Sequence, residues 1–383
     1  MNRKLAYQSI VLFGIISLFG DIVYEGSRGI VPTFLRDLGA SAFIVGLIMG
    51  LGEFLGYALR AGFGVLSDRT RAYWSFTIGG YLFIIGIPFL AFIGNWQLAL
   101  FLVVFERLSK AIRTPARDTL FSYATKGLGM GKAFGLHELL DQIGAITGPA
   151  IVAIVLLITG ERFEAAFSIL FIPFLLLVIM LWVIFAKLKG PVSQLIPPAR
   201  KVSFKKLPRG LISYSLAVAF NSMGLVSISL ILYRASPEAL PWAISILYLA
   251  TQAVDAVTAP LAGYIYDFVG KKLLYLPFTL SILPSTLIFL EGTGYVIASA
   301  LLFGAIYGMH ESIYRAAVAD MTSAEIRGSA YGIFHTFYGF GFLISGGIFG
   351  FFLDHNLLHF ALPYVVIAQA LAIFLLHKTL KKS

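Results

Sequence analysis

The chain has 383 residues, of which 58% are hydrophobic and 13% charged, with 34 Phe and no Cys. A mean hydropathy of +0.87 excludes an ordinary soluble domain, and the lack of Cys excludes disulfide and thiolate chemistry. The net charge of +10 would suit nucleic acid if the basic residues were clustered, but their distribution excludes that partner, as shown below.

The apolar residues fall in twelve runs, at about 5–32, 41–64, 73–93, 96–117, 130–158, 164–187, 209–233, 240–262, 272–290, 294–316, 327–352 and 360–379. Each is close to the roughly 20 residues with which an α-helix crosses about 30 Å of hydrocarbon. The runs do not alternate, so they predict an all-α polytopic membrane protein and not a β-barrel. Arg3 and Lys4 ahead of the first run suggest a signal peptide. No small-residue cleavage site closes that run, which continues to Pro32, so it is expected to be kept as helix one.

Ionisable side chains within membrane spans are costly and mark candidate functional positions. In helix one Asp21, Glu25 and Arg28 share a stripe with Gly14 and Ser17. Asp21, nearest the midplane, is the first candidate for reversible protonation, and Glu25 and Arg28 are spaced to pair. Helix two carries Glu53 and Arg60 on a face with Gly46, Gly50 and Gly64, which predicts a packed seam. In helix four Glu106, Lys110, Arg113 and Arg117 form one face at i, i+4, i+7 and i+11, with Arg107 turned away. Glu106 and Lys110 are expected to neutralise each other. Helix five places His137 and Asp141 one turn apart on the face of Gly144 and Gly148, a possible proton relay beside Glu138. The second half is milder, with Asn221, Gln252, Asp255, His310, Glu311 and His335 among Tyr248, Tyr307, Tyr314, Tyr331 and Tyr338. Glu311 and Arg315 have salt-bridge spacing. Substrate contacts are expected from Arg28, Glu106 and Lys110 in the first half, and from Asn221, Gln252, Asp255, Tyr307, His310, Glu311 and Tyr314 in the second.

With the N-terminus inside, the inner segments hold most of the Lys and Arg, while the outer loops keep Arg36, Arg162 and Arg234. This bias predicts that both termini are cytoplasmic and accounts for the net charge. Residues 188–208, rich in Pro and basic residues, read as a cytoplasmic tether between an N-terminal bundle, 1–187, and a C-terminal bundle, 209–383. Shifting the second half back by about 200 residues aligns Asp21 with Asn221, Glu53 with Gln252, Asp68 with Asp267, Arg113 with Arg315, Asp118 with Asp320, and Gly135 and Gly144 with Gly332 and Gly341. The chain is read as a duplication.

Two loops repeat one pattern: Gly64, Asp68, Arg69 and Arg71 after helix two, and Gly263, Asp267, Gly270, Lys271 and Lys272 after helix eight. In this the whole chain resembles the major facilitator superfamily, whose motif A these loops match; Thr70 stands where that family usually has Gly. Gly135, Gly144, Gly148 and Pro149 match the spacing of the family's motif C, with Val152 and Ala153 replacing its closing Gly pair. The resemblance implies two six-helix bundles and a cavity lined by helices one, four, seven and ten. It also implies an inner-side latch of Asp68 with Arg113, shared by Arg69, Arg71, Asp118, Gly263, Asp267, Lys271, Lys272, Arg315 and Asp320. Motif C implies export by antiport. Physically, its small residues are expected to let helices of the two halves approach closely, with Pro149 loosening the backbone there.

His137-Glu138-Leu139-Leu140-Asp141 lacks the second His of a zinc-protease helix, and no Gly-Lys-Ser/Thr phosphate loop occurs. The expected protein is therefore not an enzyme, carries no cofactor, and draws on a proton gradient. It is expected to be a monomeric transporter in a prokaryotic plasma membrane, exporting small amphipathic or drug-like molecules. Import of an organic anion or sugar by symport, and a non-transporting receptor or scaffold of the same fold, are the alternatives.

Overall fold

The computed structural model describes residues 3–125, 130–196, 208–323 and 327–381, and among these no strand occurs. The apolar runs form α1 (Arg3–Arg28), α2 (Ala42–Thr70), α3 (Tyr73–Leu82), α4 (Trp96–Ala124), α5 (Met130–Thr159), α6 (Phe171–Ser193), α7 (Arg209–Met223), α8 (Pro241–Val269), α9 (Tyr275–Leu280), α10 (Thr293–Met309), α11 (Arg327–Asp354) and α12 (Leu358–Leu380). Shorter pieces prolong several of these: Ile228–Ala235 follows α7, Ile282–Leu287 follows α9, and a π-helical turn, His310–Tyr314, follows α10. By length and composition ten segments could cross a membrane. The two missing from the expected dozen are α4, whose charges break its apolarity, and α9, which is joined to α8 in one 47-residue segment, Pro241–Leu287. Exposed side chains such as Ile158, Trp182 and Phe268 suit a surface that faces lipid.

Two boundaries differ from the sequence reading. The first run does not continue as one helix to Pro32: α1 stops at Arg28, and a separate helix, Val31–Asp37, begins with Pro32 in its first turn. Proline lacks the N–H that an unbroken helix needs, and its fixed φ suits a helix start. At the other end of the first half, α6 runs through Pro191 to Ser193, inside the segment read as tether. The remainder of that tether, including Arg200, Lys201, Lys205 and Lys206, lies outside the described residues.

Contacts divide the chain into two units, Met1–Arg28 with Leu59–Ser203, and Gly29–Ala58 with Phe204–Ser383. In the first, α1 and α5 meet backbone to backbone: a Cβ on Gly144 would come 2.6 Å from the Leu18 carbonyl oxygen, and one on Gly148 2.5 Å from that of Ile22. In the second, α11 meets α7 in the same way, with a Cβ on Gly341 reaching 2.6 Å from the Ala219 oxygen. The repeat pairing of Gly144 with Gly341 thus describes equivalent helix contacts. The expectation that the motif C glycines join helices of the two halves is corrected: Gly144 and Gly148 seat α5 on α1 within one unit. Gly135 is exposed, with open space where a Cβ would be.

Of the seam expected on α2, the part at Gly46 and Gly50 is present within the second unit. A Cβ on Gly346 would lie 2.0 Å from the Gly46 oxygen, and one on Gly50 2.6 Å from the Phe342 oxygen. Where α2 begins, the Asp354 carboxylate accepts from its first N–H groups, Ala42 at 2.8 Å and Phe43 at 2.9 Å. These donors have no partner inside the helix, and a carboxylate there also meets the positive end of the helix dipole.

Both motif A loops turn through a left-handed residue at the same repeat position, Arg71 (φ 56°) and Gly270 (φ 67°). The turn needs no glycine at Thr70, which stays helical at the end of α2. Arg71 tolerates the conformation while its guanidinium donates to the Ile196 carbonyl at 2.7 Å.

Gly346→Leu should lower stability by about 2–3 kcal/mol through overpacking of the α2–α11 seam, read as a lower unfolding temperature by tryptophan fluorescence. Gly347→Ala is the control, since its nearest neighbour would be 3.5 Å away. Arg71→Val should destabilise by about 1–2 kcal/mol because a β-branched residue resists positive φ, whereas Arg71→Gly should stay within about 1 kcal/mol of the parent as eased strain offsets the lost side-chain bond.

Candidate functional site

The first unit gathers its polar groups around Ser17 of α1. The Ser17 hydroxyl accepts from Arg117 of α4 at 2.8 Å and lies 2.9 Å from the Tyr81 hydroxyl and 3.1 Å from His137 Nε2 of α5. His137 Nδ1 is 3.6 Å from Asp141 Oδ2, so the expected pairing one turn apart on α5 is made. The other Asp141 oxygen is buried and makes no hydrogen bond. Asp21 lies across the same helix contact, since a Cβ on Gly144 would be 3.1 Å from its Cβ. The Asp21 carboxylate is in electrostatic reach of Asp141, Lys110, Glu25 and Arg113. Residues of α1 therefore form one charged cluster with residues of α4 and α5 that lie about 90 to 120 positions further along the chain.

A second group centres on Tyr24, whose ring carries three cations, Arg28 at 4.8 Å, Arg107 at 5.1 Å and Lys110 at 5.1 Å. Arg28 also sits 3.8 Å from Glu25, as its spacing predicts. Glu106 does not pair with Lys110. It is buried 3.7 Å from Arg107, because Arg107 is drawn toward α1 by its hydrogen bond to the Tyr24 hydroxyl, while the Lys110 ammonium rests on the ring face. A separate cavity of about 520 Å³, lined by Tyr7, Gln8, Val11, Leu12 and Lys187, contains none of the candidate residues.

The expected latch residues are spread over several local contacts. Asp68 is exposed and accepts from the Tyr73 hydroxyl at 2.9 Å. Arg113 is buried, donates to Ser109, and stacks its guanidinium 4.7 Å from the Tyr81 ring centre, so Asp68 and Arg113 are not joined in this structure. Asp118 pairs with Arg117 at 2.9 Å, and Asp320 accepts from Tyr266 at 3.0 Å. Arg69, Asp267 and Lys272 are exposed and Lys271 is half-buried. Gly64 makes only an ordinary contact with Pro115, whereas Gly263 is packed on Ser312. Arg315 donates to the backbone oxygen of Glu311 in place of the expected bridge to its carboxylate, because a residue four positions back on a helix offers its carbonyl at the same reach.

In the second unit two groups of polar residues behave differently. Asn221 and Tyr314 are fully buried and satisfied internally. Asn221 donates to Gln369 at 2.8 Å and to Ser281 at 3.2 Å, accepts from Tyr314 at 2.7 Å, and its backbone oxygen accepts from Gln369 at 3.1 Å. In this structure their side chains leave no polar atom over for a substrate, and they tie α7, α12 and Ser281, the residue after α9, to the π turn. Asp255 is buried where α8 and α10 cross at Gly308, and Gln252 is half-buried on the same helix.

The other group is a cluster of rings. Tyr57 of α2 stacks on His335 at 5.2 Å and 7°, meets Tyr338 edge-on at 5.3 Å, and its hydroxyl is 3.3 Å from that of Tyr307. His310 Nδ1 is 3.3 Å from the Tyr338 hydroxyl, and its ring stacks on Tyr314 at 4.2 Å. Glu53 and Glu311 act electrostatically on Tyr307 and Tyr338.

Sequence reasoning missed Tyr24, Tyr57 and Tyr81 as members of these groups. The available signal was periodicity: Tyr24 stands three residues after Asp21 and four before Arg28, and Tyr57 four after Glu53.

The architecture is shared with known proteins. The family model described as Major Facilitator Superfamily matches residues 12–234 and 210–381. An uncharacterized protein of Mycobacterium tuberculosis is 35% identical over 356 residues, covering 89% of this chain and 85% of the relative. An uncharacterized MFS-type transporter of Methanocaldococcus jannaschii is 27% identical over 369 residues, 91% of this chain and 89% of that one. The crystal structure of a POT family transporter in complex with a thioalcohol-conjugated peptide superposes with a TM-score of 0.77 at 14% identity, covering 98% of this chain and 96% of that one, a likeness of fold alone. The apolar helices, the duplicated loops and glycine contacts, and these matches lead to one conclusion: the chain belongs to the Major Facilitator Superfamily and is a multi-pass membrane transporter, not an enzyme.

Proposed function

We propose that this transporter is proton-coupled and exports small amphipathic molecules by antiport, through alternating access of two six-helix halves, 1–187 and 209–383, tethered by 188–208. The reading includes both termini in the cytoplasm, a prokaryotic plasma membrane and a monomer. The observation that supports it is the pair of acids, Asp21 and Asp141, on helices held in backbone contact at Gly144, with one Asp141 oxygen unpartnered.

Two carboxylates so placed in a low-dielectric interior repel each other, and one proton shared between them relieves the repulsion. Lys110 supplies a counter-charge when the proton leaves, so that both states are accessible. His137, linked to Asp141 on one side and Ser17 on the other, gives the proton a chain of polar atoms to follow. Motif C, through the resemblance, is the basis for export rather than import. Glu25 is a reserve carboxylate in this scheme, held by Arg28. The motif A residues form the inner-side latch only in the state where Arg113 leaves Tyr81 and Asp68 leaves Tyr73.

In proteoliposomes with an imposed pH gradient, screened with lipophilic cations, organic anions and sugars, substrate should move opposite to protons. Asp21→Asn should abolish the gradient-driven component and leave the unfolding temperature near that of the parent. Undiminished coupling in that variant would remove Asp21 from the mechanism, and substrate moving with protons would overturn antiport. For the latch, Asp68→Asn should raise labelling of a single thiol introduced on the inner side of the otherwise Cys-free chain; equal labelling would sink it.

A further inference from the structure

The ring cluster of the second unit has features that packing alone does not require. Tyr57, Tyr307 and His335 are half-buried, as are Glu53 and Glu311, so the cluster is not a closed core. One buried polar atom beside it is also left over. His310 is buried at 3% exposure and its Nε2 makes no hydrogen bond, although Nδ1 meets Tyr338. The contrast with Asn221 and Tyr314, where every polar atom is matched, separates a structural polar group from one open to a ligand. The cluster is also built around the π-helical turn His310–Tyr314, a distortion that recurs at functional sites because it aims side chains off the regular helical face.

The chemistry of the cluster is selective. Tyrosine rings present electron-rich faces, and two carboxylates act on Tyr307 and Tyr338. Such a setting attracts a positive charge by the ring quadrupole and by the acids together. It repels an anion, and it offers a sugar few of the amide donors that hydroxyl recognition uses. We infer that Tyr57, Tyr307, Tyr338 and His335, edged by Glu53 and Glu311, form a binding site for the positively charged group of an organic cation. This rests on the reading of the protein as a transporter of amphipathic molecules and names the charge class of its substrate. The site is built from residues of the second unit and the acids belong to the first, so cation recognition and proton binding use separate residues.

The test is equilibrium binding to the full chain in lipid nanodiscs with no gradient, using tetraphenylphosphonium and its anionic isostere tetraphenylborate, with empty nanodiscs subtracted. Saturable binding of the cation and none of the anion is expected. Tyr307→Phe, which keeps the ring, should bind within about twofold of the parent, while Tyr307→Leu and Glu311→Gln should each weaken binding about tenfold. Unfolding temperatures are measured for all three variants. Equal binding of both ions, no saturable binding of the cation, or a folded Tyr307→Leu protein with unchanged affinity overturns the proposal; if Glu311→Gln unfolds, the comparison of Phe and Leu at position 307 decides alone. Binding without gradient-driven flux would instead sink the antiport reading and leave this site standing, and flux without binding at this site would do the reverse.

Discussion

Backbone contact through glycine is the constraint on which the rest of this molecule depends. In lipid, helices gain little from burying apolar surface against one another, so close approach and dispersion must hold them together. At Gly144 and Gly148 no side chain separates α5 from α1, and the carbonyl oxygens of Leu18 and Ile22 occupy the space where Cβ atoms would otherwise be. That approach fixes the distance between Asp21 and Asp141. A bulkier seat would push the two acids apart and weaken the coupling between their charges, which falls with separation.

Polar groups within the helices fall into two kinds. Those around Asn221 are matched donor to acceptor and hold four elements together, at a strength that an apolar environment enhances. By contrast, one oxygen of Asp141, beside Asp21, and His310 Nε2, beside Tyr338, make no hydrogen bond, which is costly unless a proton or another molecule completes them. Both kinds look alike in sequence, as isolated polar letters in apolar runs. Satisfaction of the hydrogen bonds, visible only in three dimensions, tells them apart.

The legible part of the fold was the part that repeats. Run lengths gave the helices, and the shift of about 200 residues gave the pairing of Gly144 with Gly341 and of the two motif A turns. The break at Pro32 was misread because apolarity continues across it, although the proline itself is a local signal. The pairing of His137 with Asp141 was legible because it lies within one helix. The partnership of Glu106 with Arg107 was not, because a tyrosine on another helix decides it, and periodicity within α4 carries no information about Tyr24. For the same reason Tyr314 reads as a substrate contact in the sequence when its hydroxyl is committed to Asn221.

The seam between α2 and α11 bears on how the chain is made. Its two faces are separated by about 300 residues, and the carboxylate that caps the start of α2 belongs to Asp354, the last residue of α11. A ribosome inserting helices in order delivers α2 early and its partner almost last, so the glycine face of α2 waits in the bilayer for most of synthesis. During that interval small residues with exposed carbonyls are free to meet any other helix in the membrane. The chain therefore depends on the later helices arriving before a wrong neighbour does, and a truncation before α11 would leave an inserted but unpartnered surface for quality control to recognise.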